Sequence, residues 1–370
     1  MNYKAIIGLG FGDEGKGLFT DYLCSKNKNS LVVRYCGGQQ AGHTVVRDNF
    51  RHVFSNFGSG TYRGNPSYFS KHCTVYPITL LNELDILKNK GIYPKLFIDR
   101  NTPLTTPLDI LHNQEHSQYG TCGFGVGSTI QREEDYFSLK FGDIFNHYIL
   151  TKKIDVIREY YYTYKNVDLE EFILSCIDIK NSENIEISDG IPSNFDSVIF
   201  EGAQGLMLDM NIGIFPYVSR GNTGTNNILE LSSSKDITLF LISRAYQTRH
   251  GSGPLSNEGI PHNIQKNLME TNKTNQFQGE FRYGILDVSL LEYAINSDDY
   301  IRESKDKNLV ITCLDHIPSE YRFTYDGKII YSTNEYQFIK KIGELLKISQ
   351  LYLSRSENSD FIEKIDLRSI

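Results

Sequence analysis

The sequence predicts an α/β protein: a large, mostly parallel central sheet with surrounding helices, organised as a single domain over residues 1–370. Three observations carry that expectation. The chain opens on an apolar, β-prone stretch, a glycine-rich loop and a helix-like segment, in that order. Strand-like apolar runs then recur, each followed by a turn of small or polar residues. Between them lie segments with the i, i+3, i+4 apolar spacing of amphipathic helices. In open α/β sheets ligands sit beyond the carboxyl ends of strands, which is where such turns would gather.

The first strand, Tyr3–Ile7, leads into Gly8-Leu9-Gly10-Phe11-Gly12-Asp13-Glu14-Gly15-Lys16-Gly17, and Leu18–Leu23 has helical spacing. Glycines let backbone N–H groups converge on phosphate oxygens, and a helix N-terminus adds positive potential. Gly10 to Lys16 fits G-x-x-x-x-G-K, so a P-loop-NTPase-like nucleotide loop is expected. Gly17, however, stands where a P-loop needs Ser or Thr for its Mg²⁺. Asp13 and Glu14 are awkward among phosphate-binding amides, and an acid there is expected to hold a metal or move a proton.

Further strands follow. Ser30–Tyr35 precedes Cys36-Gly37-Gly38-Gln39-Gln40-Ala41-Gly42-His43-Thr44, and Lys95–Asp99 ends in an acid. Gly120–Ser128 is a second glycine-rich loop. Ser197–Phe200 leads into a turn at Glu201–Gly205, and Thr238–Ile242 into another at Arg244–Pro254. Asn308–Thr312 ends at Cys313-Leu314-Asp315, and Leu351–Leu353 precedes Ser354–Glu357. Leu80–Lys88 reads as a helix and Ile149–Cys176 as two. Tyr160, Tyr161, Tyr162 and Tyr164 crowd the first of that pair and read as packing surface. Asn181–Asn194, polar and carrying Gly-Ile-Pro, reads as a surface loop.

Composition narrows the function. The net charge is −7 and no Lys/Arg cluster stands out, which argues against a nucleic-acid partner. Six scattered cysteines without a C-x-x-C pair argue against a disulfide framework or structural zinc, and fit a reducing compartment. No signal peptide and no apolar run of membrane-spanning length is present, so a soluble, cytoplasmic protein is expected.

Four blocks together resemble the adenylosuccinate synthetase family: Gly12–Gly17; Gly37–Thr44; Phe200–Gly205 with Pro216-Tyr217-Val218; and Thr248-Arg249-His250-Gly251-Ser252-Gly253-Pro254. The resemblance implies GTP-dependent joining of aspartate to the 6-position of IMP, with Mg²⁺ and a homodimer. It implies that Asp13 is the general base at N1 and that His43 is the acid or donor at the 6-oxygen and γ-phosphate. Asp13 and the Gly42 carbonyl would hold the metal. GTP would be met by Gly12, Asp13, Glu14, Gly15, Lys16 and Gly17, by Gly42, His43 and Thr44, and by Asp315 and Ser354, with Asp315 reading the guanine. IMP would be met by Asp13, Lys16, Gln40, Ala41, Cys122, Gln204 and Ser219.

The chain departs from the family at several of these positions. Gln40 replaces an asparagine, Cys122 and Ser219 replace threonines, and a thiol is a weak donor. Cys313 stands where a lysine is common. The family's interface arginine aligns with Phe137 or Ser138, leaving Arg132 as the nearest candidate. In the amino-acid loop, Asn275–Gly284, only Arg282 remains to clamp a carboxylate, beside Glu280. Two other readings therefore stay open: a paralogue joining a different amine to a related 6-oxopurine nucleotide, and a non-catalytic nucleotide-binding regulator. The second is expected to lose Asp13 or His43, and both are present.

Overall fold

The computed structural model describes every residue except 49, 117–120, 268–269, 271–276, 278 and 370. In chain order its strands are β1 (Asn2–Gly8), β2 (Ser30–Arg34), β3 (His43–Arg47), β4 (Phe50–Phe54), β5 (Ser67–Phe69), β6 (Leu96–Asp99), β7 (Ile185–Ser188), β8 (Ser197–Gly205), β9 (Ile237–Arg244), β10 (Tyr246–His250), β11 (Phe281–Asp287), β12 (Lys307–Thr312), β13 (Tyr321–Tyr325), β14 (Lys328–Ser332), β15 (Gln350–Leu353) and β16 (Glu363–Asp366). The helices used below are α1 (Lys16–Lys26), α2 (Pro77–Asn89), α3 (Pro107–Glu115), α4 (Val126–Glu134), α5 (His147–Tyr160) and α6 (Glu170–Lys180).

β1 lies inside a ten-stranded sheet of order β16-β15-β12-β9-β1-β8-β2-β5-β6-β7. Every pairing in it is parallel except β15 with β16 at one edge. Parallel strands covered on both faces need near-continuous apolar sequence. Leu31-Val32-Val33, Val198-Ile199-Phe200 and Leu239–Ile242 supply it, and all are buried. The shared direction brings the residues after β1, β2, β8, β9 and β12 to one edge of the sheet. A four-stranded sheet, β10-β11-β13-β14, and a hairpin of β3 with β4 border that edge.

The large parallel sheet, the nucleotide-type first loop and the helices around residues 80–88 and 149–176 match the sequence reading. Three local expectations need correction. Residues 185–188, read as surface loop, form β7, a parallel edge strand whose Ile185 is buried against the core. Only two apolar positions alternate there, too few to stand out from polar surroundings. Residues 201–205, read as a turn, continue β8. They run beside β1 and β2, where neighbouring backbone takes their hydrogen bonds. Arg244–Pro254 is also not a single turn, because β10 starts only one residue after β9 and opens the second sheet. Of the tyrosine run, Tyr161 and Tyr164 are buried, with hydroxyls donating to Asp109 and Glu115, while Tyr162 faces outward. Among the described residues no helix is long and apolar enough to cross a membrane.

Arg132 does not reach towards another molecule. Its side chain is fully buried at the end of α4, donating to Asp109 at 2.9 Å and to the Leu104 carbonyl at 2.7 Å. Asp109 is also the N3 residue of a capping box on α3, accepting from the Thr106 N–H and hydroxyl at 2.7 Å each. One carboxylate thus ties α3, α4 and, through Tyr161, α5 into one block. Removing one partner of a buried ion pair leaves an uncompensated charge. Asp109→Ala is expected to destabilise the protein by about 3–5 kcal/mol in denaturant titrations; a loss below ~1 kcal/mol, the scale of an exposed pair, would contradict this.

Candidate active site

The first loop turns sharply into α1. Gly12, Asp13 and Gly15 have φ of 90°, 59° and 91°, left-handed values that suit glycine and are tolerated by Asp. No side chain caps the N-terminus of α1, so its first amides are left for a ligand. Glu14 lines the smaller cavity described below, but its carboxylate is already engaged. Its Oε1 accepts from the Gly10 and Gly12 N–H groups at 3.1 and 3.0 Å, and its Oε2 from Lys16 Nζ at 2.5 Å. The expectation that an acid here must hold a metal or move a proton therefore fails for Glu14, because two amides and an ammonium compensate it. A Cβ on Gly8 or Gly205 would collide with that carboxylate, which explains why both are glycine.

Asp13 is the other acid. Its side chain makes no hydrogen bond or ion pair among the described residues, and it lines a cavity of about 580 Å³. Burial holds its pKa up, against the opposing pull of Arg244 and Lys16. Arg244, at the end of β9, donates to the Asp13 carbonyl, to the Tyr246 hydroxyl at 3.0 Å and to Glu270 at 3.1 Å.

His43 starts β3 and lines the same cavity. Its Nδ1 lies 2.8 Å from Oε1 of Glu201, a fully buried carboxylate in the middle of β8. Glu201 also accepts from the Ser59 hydroxyl and, at 3.2 Å, from the Ser59 N–H, and Arg34 stands 3.9 Å away. Burial pushes the Glu201 carboxyl up, but His43 and Arg34 outweigh it and hold its pKa down at about 2. An ionised Glu201 keeps the His43 proton on Nδ1 and orients the ring. Nε2 is buried with no partner among the described residues and is left for a ligand. Burial holds the imidazole pKa down, with Glu201 pulling it back up. The sequence blocks assign Glu201 no role; an acid directly after an apolar run, beside a glycine, is the signal they offer.

A second cavity, of about 870 Å³, adjoins the first. Gln40, Cys122, Gln204, Leu208 and His250 line both, so the two form one cleft. Gly15, Lys16, Gly17, Ala41, Gly42, Thr44 and Asp315 line the smaller part, and Ser219 the larger. Gly12 packs beside Gln204, where an added Cβ would stand 3.2 Å from Oε1. The uncapped start of α4, Val126 to Ser128, also lines the larger part. Two expected residues are not brought in. Ser354 is buried, its hydroxyl donating to the Ser356 carbonyl at 2.7 Å, and it lines neither part. Arg282 also lines neither. It donates to both oxygens of Glu258 at 2.9 Å and to the carbonyls of Gly251 and Gly253 at 2.7 and 2.6 Å. As placed it braces a turn, because its donors are already engaged. Gly120 of the second glycine-rich loop, and Asn275, Gln276 and Gln278 of the amino-acid loop, lie outside the described residues.

Loop amides, a helix N-terminus, an unengaged carboxylate and an oriented imidazole on one cleft define the class: a nucleotide-dependent enzyme that handles phosphoryl groups. The chain belongs to the adenylosuccinate synthetase family, ligases that form a C–N bond in purine biosynthesis; the family model matches residues 5–352. The adenylosuccinate synthetase of Thermoplasma acidophilum is 28% identical, over 91% of this chain and 83% of that protein. That of Aliivibrio fischeri is 32% identical over 70% of this chain, and the match spans 64% of that protein's length. Among solved structures, the fully ligated adenylosuccinate synthetase from Plasmodium falciparum superposes with a TM-score of 0.78 at 18% identity, covering 98% of this chain and 99% of that one. Cyanophage S-2L succinoaminodeoxyadenylate synthetase, bound to dGMP and to dATP as an energy donor, gives 0.69 at 15% identity, covering 100% and 96%. Both share the fold.

Gly17 now has a physical reason. A Cβ there would stand 2.7 Å from the His43 Cβ and 2.9 Å from Ser59 Oγ, so the hydroxyl residue of a P-loop is excluded by the histidine packed against the first turn of α1. Gly17→Ser is expected to displace His43 and lower kcat by about 10²-fold, the scale of a 1 Å misplacement of a reacting group. Unchanged kcat in steady-state assays would show that the imidazole position is not set by this contact.

Proposed function

We propose that this chain joins aspartate to the 6-position of IMP at the expense of GTP, through a 6-phosphoryl intermediate, giving adenylosuccinate. The observation that carries this reading is the unengaged Asp13 carboxylate facing the same cavity as the unpaired Nε2 of His43 and the uncapped start of α1. A purine 6-oxygen is a poor leaving group until phosphorylated. Asp13 takes the N1 proton, the 6-oxygen attacks the γ-phosphorus, and GDP departs. The amine then displaces phosphate from the 6-position. Glu201 favours the doubly protonated imidazole of His43, in which Nδ1 stays on Glu201 and Nε2 donates to the oxygen that becomes the bridge. Burial makes Asp13 a stronger base than a solvated carboxylate, closer to the operating pH where general bases work best.

A hard oxygen donor without a protein partner suits Mg²⁺, which keeps phosphate and water ligands rather than an all-protein cage. Asp13 and the Gly42 carbonyl would hold the ion, and when bound it neutralises phosphoryl charge. Lys16 is engaged by Glu14, so its charge reaches the phosphates through space while the first amides of α1 make contact. GTP enters the smaller part of the cleft, with Asp315 accepting from guanine N1–H and N2–H₂. IMP spans the junction, near Gln40, Cys122 and Gln204, with its phosphate towards Ser219 and the start of α4.

The carboxylates of aspartate are assigned to the wall made by β10 and β11. Arg249 faces Arg282 across these strands, and its partners are the carbonyls of Ser252, Pro254 and Tyr217. Burial, then the neighbouring Arg282, holds its pKa down at about 10. Glu258 balances only one of the two guanidinium groups, so the wall favours an incoming anion. The homodimer, the cytoplasmic location and the single-domain organisation over 1–370 belong to the same reading.

The direct test incubates purified protein with IMP, GTP, Mg²⁺ and a panel of amino acids, read by mass spectrometry. Aspartate should give adenylosuccinate, with alanine and asparagine far slower; product only from another amine would sink the assignment. Asp13→Asn should abolish turnover, a loss beyond the 10²–10⁴-fold typical of a general base, while nucleotide binding by calorimetry largely survives. GTP should exceed ATP by about tenfold or more in kcat/KM, since buried groups left unpaired cost roughly 1–3 kcal/mol. Equal values would remove Asp315 as the guanine reader.

A further inference from the structure

His250 ends β10, and the alternation of a strand sets it on the face of Tyr246 and Thr248, opposite Gln247 and Arg249. Its ring stands edge-on to Phe281, its register partner on β11, at 5.7 Å between centroids and 90° between planes. That contact fixes the imidazole without satisfying it. The side chain makes no hydrogen bond or ion pair among the described residues, and Nε2 is buried with no partner. Buried polar atoms of folded proteins are paired in the great majority, and an exception calls for a cause such as an absent ligand.

The position of the ring narrows what that ligand atom is. His250 is one of five residues lining both parts of the cleft, and the other four, Gln40, Cys122, Gln204 and Leu208, carry no charge. The cationic groups and helix N-termini that suit anions line one part or the other and not both: Lys16, Arg51, Arg244 and α1 the smaller part, Lys71, Lys140, Arg220, Arg249 and α4 the larger. Asp13 and His43, the proposed reacting pair, line the smaller part alone. A partner at the junction is therefore a neutral hydrogen-bonding atom between two phosphate regions.

We propose that His250 is a specificity-determining contact for the nucleoside portion of the acceptor nucleotide, with Nε2 bonded to a sugar hydroxyl or a ring heteroatom. This rests on the ligase reading above in taking IMP as the acceptor. Nothing is transferred to or from the imidazole; it recognises and positions.

Two variants and two nucleotides test it. His250→Phe keeps an aromatic ring against Phe281 and removes both nitrogens, whereas His250→Gln keeps a hydrogen-bonding group. Thermal unfolding confirms that each is folded, and calorimetry without GTP gives Kd for IMP independently of turnover. The Phe variant should raise Kd and KM for IMP about 5- to 100-fold, the range for a buried group left unpaired. KM for GTP and aspartate should stay within about twofold, and Gln should recover part of the loss. With 2′-deoxy-IMP, a sugar contact predicts a penalty in the wild type that disappears in His250→Phe. A ring-heteroatom contact predicts that both nucleotides weaken alike in the variant. Unchanged IMP affinity in both folded variants, or equal shifts in all three substrates, overturns the inference while leaving the ligase reading intact. IMP binding by the wild type without adenylosuccinate formation has the opposite meaning, and failure of the wild type to bind IMP overturns both.

Discussion

The first loop depends on an acid buried among the amides of a phosphate-type turn. Glu14 accepts from Gly10, Gly12 and Lys16, so the loop carries its own anion and keeps its shape before any nucleotide arrives. The Thr312 hydroxyl donates to the Glu14 carbonyl at 2.8 Å, and Arg244 grips the carbonyl of Asp13, so β12 and β9 hold the same turn from one side. Gly205 presses on it from β8, where a side chain would strike both Glu14 and the Gly10 carbonyl. Asp13 is thereby presented in a left-handed conformation with its carboxylate left over.

The same economy governs the imidazole. His43 is positioned from three directions: Glu201 at its Nδ1, Gly17 beneath its Cβ, and Arg34, whose Nη2 donates to the Ala41 carbonyl at 3.2 Å in the turn just before it. Each contact comes from a different strand or helix, and Glu201 lies 158 residues away in sequence. A parallel sheet makes that possible, because its strand ends converge while their sequences stay far apart.

Much of this was legible in the chain. The apolar runs announce parallel strands because burial on both faces leaves little choice of residue, and Asp13, His43, Gln204 and Asp315 fall on one cleft as their blocks suggested. What could not be read has physical causes. β7 is short and half polar because it is an edge strand. Residues 201–205 look like a turn because small residues are required where β8 passes the first loop. The role of Glu14 depends on side-chain direction, which sequence spacing does not encode, and Arg282 is engaged by Glu258 and two carbonyls that only the fold brings within reach.

Ala245 alone separates β9 from β10, and its N–H is tied to the Thr312 carbonyl at 2.8 Å. The two sheets are thus joined with no slack, and the side-chain alternation of β10 is phased from the end of β9. Because that alternation has a period of two, one extra residue at this junction would turn β10 over. Arg249 would then take the face of His250, and His250 that of Arg249. The length of this junction is accordingly fixed in this chain, and it acts as a frame of reference for every residue that β10 presents to the cleft.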